Sequence, residues 1–328
     1  MSAIPPSNDS VVLPPKRSNT GKIIGIVAAI VVVIVVAVLI VVNLNKPAAS
    51  TDAGADSNAI TSGLGSADDP VQIGVVGASD PYWTVYADAA EAEGISVDIV
   101  DFAEYNQPNP ALTEGELDLN QFQHLVYLAQ YNVDAGEDLT PIGSTAIYPL
   151  GLYSDKYTSL DEIQDGDTVA IPSDPSNLAR ALGVLQAAGL VELTTDDSIF
   201  ATLADVDTDA SRVEITALEP SLTATSLPDV AAAIVNNEFL EGAGLKGTEA
   251  LAQDDPANPA AKPYINVFAT TADNADNEVL NRLVEIYQND QAVLDGVVEQ
   301  SGGTAIITTT PVDELVATLK EIEENVGE

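Results

Sequence analysis

The sequence lacks cysteine altogether and has a single histidine, His124, among its 328 residues. Without cysteine there can be no disulfide bond, no thiolate nucleophile, no cysteine-based zinc site and no lipid anchor on an N-terminal cysteine. A single histidine also excludes a metal site built on a histidine pair. Any binding or catalytic site must therefore rely on carboxylates, amides, hydroxyls, aromatic rings, a few basic side chains and at most one imidazole.

Basic residues are scarce as well. Lysine and arginine together number 11, against 51 aspartates and glutamates, and the formal net charge at pH 7 is −40. A surface of this charge repels phosphate, which argues against nucleic acid as a partner. Only three arginines follow residue 42, namely Arg180, Arg212 and Arg282. Because arginine is so rare here, the position of each one is informative.

One long apolar run stands near the N-terminus, where residues 23–42 form 20 consecutive apolar positions. A helix of roughly 20 such residues spans a bilayer. Basic residues cluster before the run and only Lys46 closely follows it, so the positive-inside rule places the N-terminus in the cytoplasm. We predict a single-pass membrane anchor at 23–42, with everything after it outside the cell membrane.

The segments on either side of this run have the composition of disordered chain. We predict a disordered cytoplasmic tail at 1–22 and a flexible linker at 43–69 that tethers the folded part to the membrane. The alternative is a secretory signal cleaved after the Ala-Gly-Ala sequence at 53–55, although its apolar region would be unusually long.

From residue 71 onward, strand and helix patterns alternate, which is typical of α/β construction. The predicted strands are 71–77, 97–102, 117–122, 141–153, 168–171, 231–235 and 264–270. The predicted helices are 82–93, 110–114, 124–132, 175–189, 277–300 and 311–323. A folded part of this length forms one large domain or two modest lobes.

The segment from Ile171 to Arg180 reads Ile-Pro-Ser-Asp-Pro-Ser-Asn-Leu-Ala-Arg. Asp174 is a typical N-cap residue, and Pro175 suits the first helical position. Asn177 and Arg180 then share one face, with the arginine on the first turn. A guanidinium near free helix N–H groups favours a carboxylate or another small anion. The alternative is a surface ion pair between Arg180 and an acidic neighbour.

No metal or cofactor site is predicted. The acidic spacing at 205–211 is that of a calcium loop, but Ala210 replaces the turn glycine and Thr216 stands in place of the bidentate glutamate. The sequence at 74–77 lacks the third glycine of a dinucleotide fingerprint. We interpret the first as an exposed loop and the second as a strand end.

Several collinear segments resemble the methionine-binding lipoproteins of bacterial ABC importers, the NlpA/MetQ family of periplasmic binding proteins. The matching segments are 102–109, 117–124 with Tyr127, 148–154, 171–182, 233–236 and 263–267. The resemblance implies an α/β, two-lobed periplasmic-binding-protein fold (type II-like) with mixed sheets, as a monomer. Lobe one would comprise 71–158 plus 262–328, and lobe two 159–261. The family's lipobox cysteine is absent, and the apolar run stands in its place.

The resemblance also implies an amino-acid site between the lobes. Its residues would be Tyr105, Phe122, His124, Tyr127, Tyr148, Asn177, Arg180 and Asn236. In this interpretation Arg180 holds the ligand carboxylate, the asparagines bind its backbone groups, and the aromatic rings surround its side chain. Sulfur–aromatic contacts would favour a thioether, although a branched aliphatic side chain could use the same rings.

The function implied is capture of L-methionine or a related amino acid and its delivery to the permease of an ABC importer with its ATPase, without covalent change. Two alternatives stay open. A hydrolase or transferase could use His124, although the Gly-x-Ser-x-Gly motif of a nucleophile elbow does not occur. An anchored sensor or adhesion module would bind no small ligand at all.

Overall fold

The computed structural model of the protein describes residues 59–195 and 199–326. The predicted membrane anchor at 23–42 and the tail before it lie outside these residues. Within the two described ranges, none of the helices has the length and apolar character needed to cross a bilayer.

Strands and helices alternate in the order that the sequence predicts. The strands are β1 (Val71–Val76), β2 (Val97–Phe102), β3 (Leu119–His124), β4 (Thr140–Ser144), β5 (Ala146–Ile147), β6 (Gly151–Tyr153), β7 (Thr168–Pro172), β8 (Glu214–Leu218), β9 (Ala232–Val235), β10 (Ala252–Gln253), β11 (Asn266–Thr270) and β12 (Ile306–Ile307). The α-helices are α1 (Pro81–Ala92), α2 (Pro108–Thr113), α3 (Leu125–Ala135), α4 (Pro175–Ala187), α5 (Pro220–Thr223), α6 (Glu278–Asn289), α7 (Gln291–Gln300) and α8 (Val312–Asn325).

Two five-stranded sheets organise the described residues. The first sheet has the order β2-β1-β3-β11-β4, and the second has the order β10-β6-β9-β7-β8. In the first sheet β1 is parallel to β2 and β3, whereas β11 is antiparallel to β3 and β4. In the second, β7 is parallel to β8 and β9, whereas β6 is antiparallel to β9 and β10. The predicted α/β fold with mixed sheets is confirmed.

The chain passes from the first sheet to the second after β5 and returns before β11. We predicted one long strand at 141–153, but three short strands occupy this region. Pro149 explains the interruption between β5 and β6, because it has no N–H to donate to a neighbouring strand. The strand β6 belongs to the second sheet. The predicted lobe boundary at residue 158 would instead place it in lobe one, with the first sheet.

Large aromatic side chains fill the space between the first sheet and helices α1, α6 and α7. Tyr287 packs edge-on against Tyr86 and Phe268, with ring centroids 5.5 and 5.1 Å apart. Trp83 is buried beside them. Burial of each such side chain contributes about 1.5–3 kcal/mol. A separate apolar cluster packs α4 against the second sheet, so each sheet has its own core.

Residues 59–69, which we assigned to the linker, are ordered. Ile60 and Leu64 pack against the core of the first sheet, and the Ile60 N–H donates to the carbonyl of Gly94. The N–H of Gly65 donates to the carbonyl of Asp69. Two apolar residues therefore hold this polar stretch against the first sheet. The average composition of the stretch, on which the linker prediction depended, does not reveal such isolated apolar positions.

Two element boundaries also differ from the prediction. The helix predicted at 277–300 is two helices, because the Asp290 side chain accepts from the N–H groups of Ala292 and Val293 and caps a new helix. The strand predicted at 264–270 begins at Asn266, since a 3₁₀ helix occupies Pro259–Tyr264.

Candidate functional site

All eight residues predicted for the site line one cavity between the two sheets. They share it with six further residues, Gln123, Pro149, Leu150, Asn237, Glu238 and Asn266. The cavity is narrow, with a volume of about 30 Å³, so any occupant would touch its walls on all sides. Strand β3 ends at this cavity with His124, and Asn236 lines it directly after β9; ligands bind at such strand ends in open α/β sheets.

The start of α4 follows the predicted capping pattern. The Asp174 carboxylate accepts from the Asn177 N–H at 3.0 Å and from the Asn177 side-chain amide at 2.9 Å. Pro175 occupies the first turn, as predicted. Arg180, however, lies on the second turn rather than the first, because the helix begins five residues before it. The arginine is therefore held away from the helix N-terminus and acts through its own contacts.

Arg180 is buried and held from three sides. Its Nε donates to Asp254 Oδ2 at 2.6 Å, and its Nη2 donates to the Tyr148 carbonyl at 2.7 Å. The guanidinium also lies 4.3 Å from the ring centroid of Tyr264. Its Nη1 donates to no atom within the two described ranges. Arg180 thus forms an ion pair, as in our alternative interpretation, but inside the protein and at the cavity wall.

His124 ends β3 and caps the N-terminus of α3. Its Nδ1 accepts from the Tyr127 N–H at 3.2 Å, so the ring proton is on Nε2 and points to Asn177 Oδ1 at 3.3 Å. Burial, with a smaller effect of the Arg180 charge, lowers the pKa of His124 to about 3. The imidazole is therefore neutral at physiological pH and donates a hydrogen bond across the cavity.

Asn236 follows β9 and completes this polar network. Its side-chain amide donates to Asn177 Oδ1 at 3.1 Å. Its Oδ1 is buried and accepts no hydrogen bond from the residues that the structure describes. Leaving a buried acceptor unsatisfied costs about 1–3 kcal/mol. A donor within the cavity would remove that cost.

Aromatic rings form the wall on the side of the first sheet. The Tyr105 centroid lies 6.0 Å from that of Phe122 and 6.1 Å from that of Tyr127. Phe239, from the segment after β9, packs its ring 5.3 Å from that of Tyr105 but does not line the cavity. Tyr148 is buried in the segment where the chain crosses between the sheets. The aromatic residues chosen from the sequence therefore gather on one side of the same cavity.

Glu238 is the most consequential residue that the sequence prediction missed. It lies on the 3₁₀ turn Asn237–Phe239, and its Oε2 accepts from the Tyr105 hydroxyl at 2.5 Å. Its proximity to Asn236 in the chain was the available signal. Among so many acidic residues, however, nothing local distinguishes this one.

A larger groove of about 1520 Å³ lies elsewhere on the protein, where α3 and α8 face the loop around 199–205. It contains none of the eight predicted residues. The narrow cavity is the better candidate, because several polar groups and aromatic rings converge there.

This combination of fold and cavity defines an α/β substrate-binding protein, in which a small molecule is held between two sheets. The family model of the NlpA lipoproteins matches residues 71–309. The chain therefore belongs to the NlpA lipoprotein family.

Named relatives and solved structures agree with this assignment. The D-methionine-binding lipoprotein MetQ of Escherichia coli (strain K12) is 37% identical over 206 residues, which is 62% of this chain and 74% of that protein. A nutrient-binding protein from Burkholderia cenocepacia, solved bound to methionine, is 33% identical with a TM-score of 0.67, over 73% of this chain and 99% of that one. The substrate-binding protein of a methionine transporter from Streptococcus pneumoniae is 31% identical with a TM-score of 0.68, over 73% and 95%.

Proposed function

We propose that this protein is the extracytoplasmic substrate-binding component of an ABC importer and that it captures methionine or a closely related free amino acid. The observation that carries the proposal is the meeting of Arg180, the Asn177–Asn236 pair and the aromatic wall in one cavity. The names of the relatives, which refer to methionine binding and methionine transport, support the same ligand.

Arg180 is the proposed partner of the ligand carboxylate. Asp254, the Tyr148 carbonyl and the Tyr264 ring already fix its guanidinium, so little side-chain entropy is lost on binding. The remaining Nη1 donor suits a carboxylate oxygen, and charge-assisted bonds of this kind are among the strongest in proteins.

The aromatic wall is the proposed site of the ligand side chain. Sulfur–aromatic contacts contribute about 0.3–1.5 kcal/mol each, which favours a thioether over a methylene chain of the same length. Both enantiomers of methionine could place their side chain against this wall, so the stereochemical preference requires direct measurement.

We propose that the ligand enters when two lobes separate and is enclosed when they close. The lobes would correspond to 71–158 plus 262–328 and to 159–261, with β6 moving with the second. Among the described residues, four side-chain hydrogen bonds join the two lobes away from the chain crossings and would have to break on opening. They are Tyr105 to Glu238, His124 to Asn177, Ser221 to Glu104 and Gln300 to Glu241.

We further propose that residues 23–42 anchor the protein in the cell membrane, with residues 1–22 in the cytoplasm. A tether raises the effective concentration of the binding protein at its permease. The ATPase of the importer would supply the energy for transport, since the binding protein itself makes no covalent change to its ligand.

The geometry around His124 favours binding over catalysis. Its Nε2 faces an amide oxygen rather than a hydroxyl nucleophile. A general base works best with a pKa near the operating pH, and burial lowers that of His124 to about 3. These observations support a binding protein rather than the hydrolase or transferase alternative.

A thermal-shift panel tests the proposal on the full chain in detergent. Buried Trp83 is the sole tryptophan, so its intrinsic fluorescence reports unfolding. A ligand at 100 times its Kd adds about 2.7 kcal/mol to the free energy of unfolding, so L- or D-methionine should raise Tm by several degrees. Aspartate and lysine serve as controls. If no amino acid raises Tm, the sensor or adhesion alternative is favoured instead.

A further inference from the structure

Glu238 is a carboxylate at the cavity wall without a basic partner. It is half-buried as a residue and lines the cavity, where the Tyr105 hydroxyl donates to its Oε2. Among the described residues, none of the five ion pairs includes it. Desolvation raises the pKa of Glu238 overall, because the opposite effects of the Tyr105 hydrogen bond and the Arg180 charge are smaller. Its carboxylate thus lies in a poorly solvated place where a positive group would be stabilised.

A second acceptor lies two residues earlier. Asn236 is 8% exposed, and its Oδ1 has no hydrogen-bond partner among residues 59–195 and 199–326. Both side chains belong to the short segment after β9 and line the same cavity. An unpaired amide oxygen next to a carboxylate is the pattern that an ammonium group satisfies, because ammonium only donates.

Arg180 and Glu238 give the cavity two parts of opposite charge. Arg180 lies on α4 and Glu238 lies after β9, close enough for the arginine's charge to lower the pKa of Glu238. A free amino acid also carries opposite charges on neighbouring groups. Its carboxylate at Arg180 would bring its ammonium group towards Asn236 and Glu238.

We infer that Glu238 is the counter-ion of the ligand's ammonium group and, with Asn236, restricts this site to zwitterionic amino acids. The inference rests on the proposed function and deepens it by naming the substrate class. Analogues whose amine is acylated or replaced by a hydroxyl keep the carboxylate and the side chain but lose the group that Glu238 recognises.

A purely structural role for Glu238 makes a different prediction. In that case Glu238 would matter only because it accepts from Tyr105 and joins the two sides of the cavity. Glu238→Gln keeps an acceptor for Tyr105 but removes the charge. A structural role predicts equal effects on every ligand, whereas a counter-ion role predicts an effect only on ligands that carry an ammonium group.

Calorimetry on the full chain in detergent separates these cases. The ligands are methionine, as both enantiomers, and 2-hydroxy-4-(methylthio)butanoate, in which a hydroxyl replaces the amine. We expect Glu238→Gln to weaken methionine binding by at least about tenfold, as when one partner of a buried charge pair is removed. Binding of the hydroxy analogue should change by less than about twofold, since it has no ammonium group for Glu238 to pair with.

The matched control is Glu249→Gln, which removes the same charge eleven residues further on, at an exposed position outside the cavity. It should leave both affinities unchanged. A melting curve without ligand verifies that each variant is folded. If Glu238→Gln does not fold, the wild type is measured alone, and a preference for methionine over the hydroxy analogue of less than about tenfold would overturn the inference.

Each outcome has one meaning. Equal loss for both ligands, or no loss for methionine, would overturn the inference while leaving the proposed function intact. Failure of the wild type to bind either enantiomer of methionine would overturn the proposed function and the inference together.

Discussion

Arg180 and Asp254 form an ion pair at the wall of the cavity, with 2.6 Å between Nε and Oδ2 and only 6% of the arginine side chain exposed. Desolvation offsets much of the attraction in such a pair, so its net contribution to stability is small. Its main effect is to orient the guanidinium so that its remaining donor is available to an anion.

Arg180→Ala should reduce methionine affinity by about 2–5 kcal/mol, because the ligand carboxylate would lose its buried partner. Calorimetry measures the change. Arg282→Ala is the matched control, because Arg282 pairs with Glu93 and Glu285 at half-exposed positions. If Arg180→Ala binds methionine as tightly as the control does, Arg180 does not bind the ligand carboxylate.

His124 should stay neutral from pH 5 to pH 8. Burial lowers its pKa to about 3, so protonation opposes the folded state, and stability is lost as the pH falls from about 6.5 towards 3. As His124 is the only histidine, one imidazole Cε1–H signal in an NMR titration of the untagged chain reports its charge. A midpoint near 6.5 in the folded protein would contradict the buried, hydrogen-bonded position.

Asp80→Asn should stabilise the protein at alkaline pH. Burial, then the charges of Glu238, Glu241 and Asp101, raise the pKa of Asp80 to about 7. The folded state therefore binds this proton more tightly than the unfolded state, and ionisation costs stability progressively as the pH rises from about 4 to 7.

Removing that charge should add on the order of 2–4 kcal/mol at pH 8 and clearly less at pH 5, since each unit of pKa shift corresponds to about 1.4 kcal/mol. The carbonyl of an asparagine can still accept from Gln300, which donates to Asp80 at 2.9 Å. Denaturant unfolding at the two pH values measures the difference, with exposed Asp134→Asn as control. Equal effects at both pH values would show that Asp80 titrates normally.

Phe122→Leu should reduce the preference for methionine over norleucine. The two ligands have nearly the same shape, so their affinity ratio reports the sulfur–aromatic contribution, about 0.3–1.5 kcal/mol per contact. Leucine keeps most of the buried volume of Phe122 but removes the ring. Competition binding in wild type and variant gives the ratio. An unchanged ratio would place the thioether away from this ring.

Short-range signals predicted much of the fold. The strand β2 has the predicted bounds, and α4 begins at Pro175 behind the predicted Asp174 cap. The failures have local physical causes. Pro149 interrupts a strand-like stretch, and Asp290 caps a new helix within a continuous amphipathic pattern.

The site was predicted less completely, because its partners are remote in the chain. Asp254 is 74 residues from Arg180, and no spacing rule selects it among 51 acidic residues. Glu238 was missed for the same reason, since its partner Tyr105 lies 133 residues away. The family resemblance selected eight residues that do line one cavity, but the segments that carried it contain neither Asp254 nor Glu238.

Arg180 and Asp254 both form hydrogen bonds with the segment Tyr148–Leu150, where the chain first crosses between the sheets. Arg180 donates to the Tyr148 carbonyl, and Asp254 accepts from the Leu150 N–H at 2.8 Å. In the proposed opening, the arginine would lie beside the pivot, where a rotation produces the least displacement. We expect this end of the pocket to remain assembled while the aromatic end swings apart, so that an incoming amino acid docks its acid group first and its side chain last.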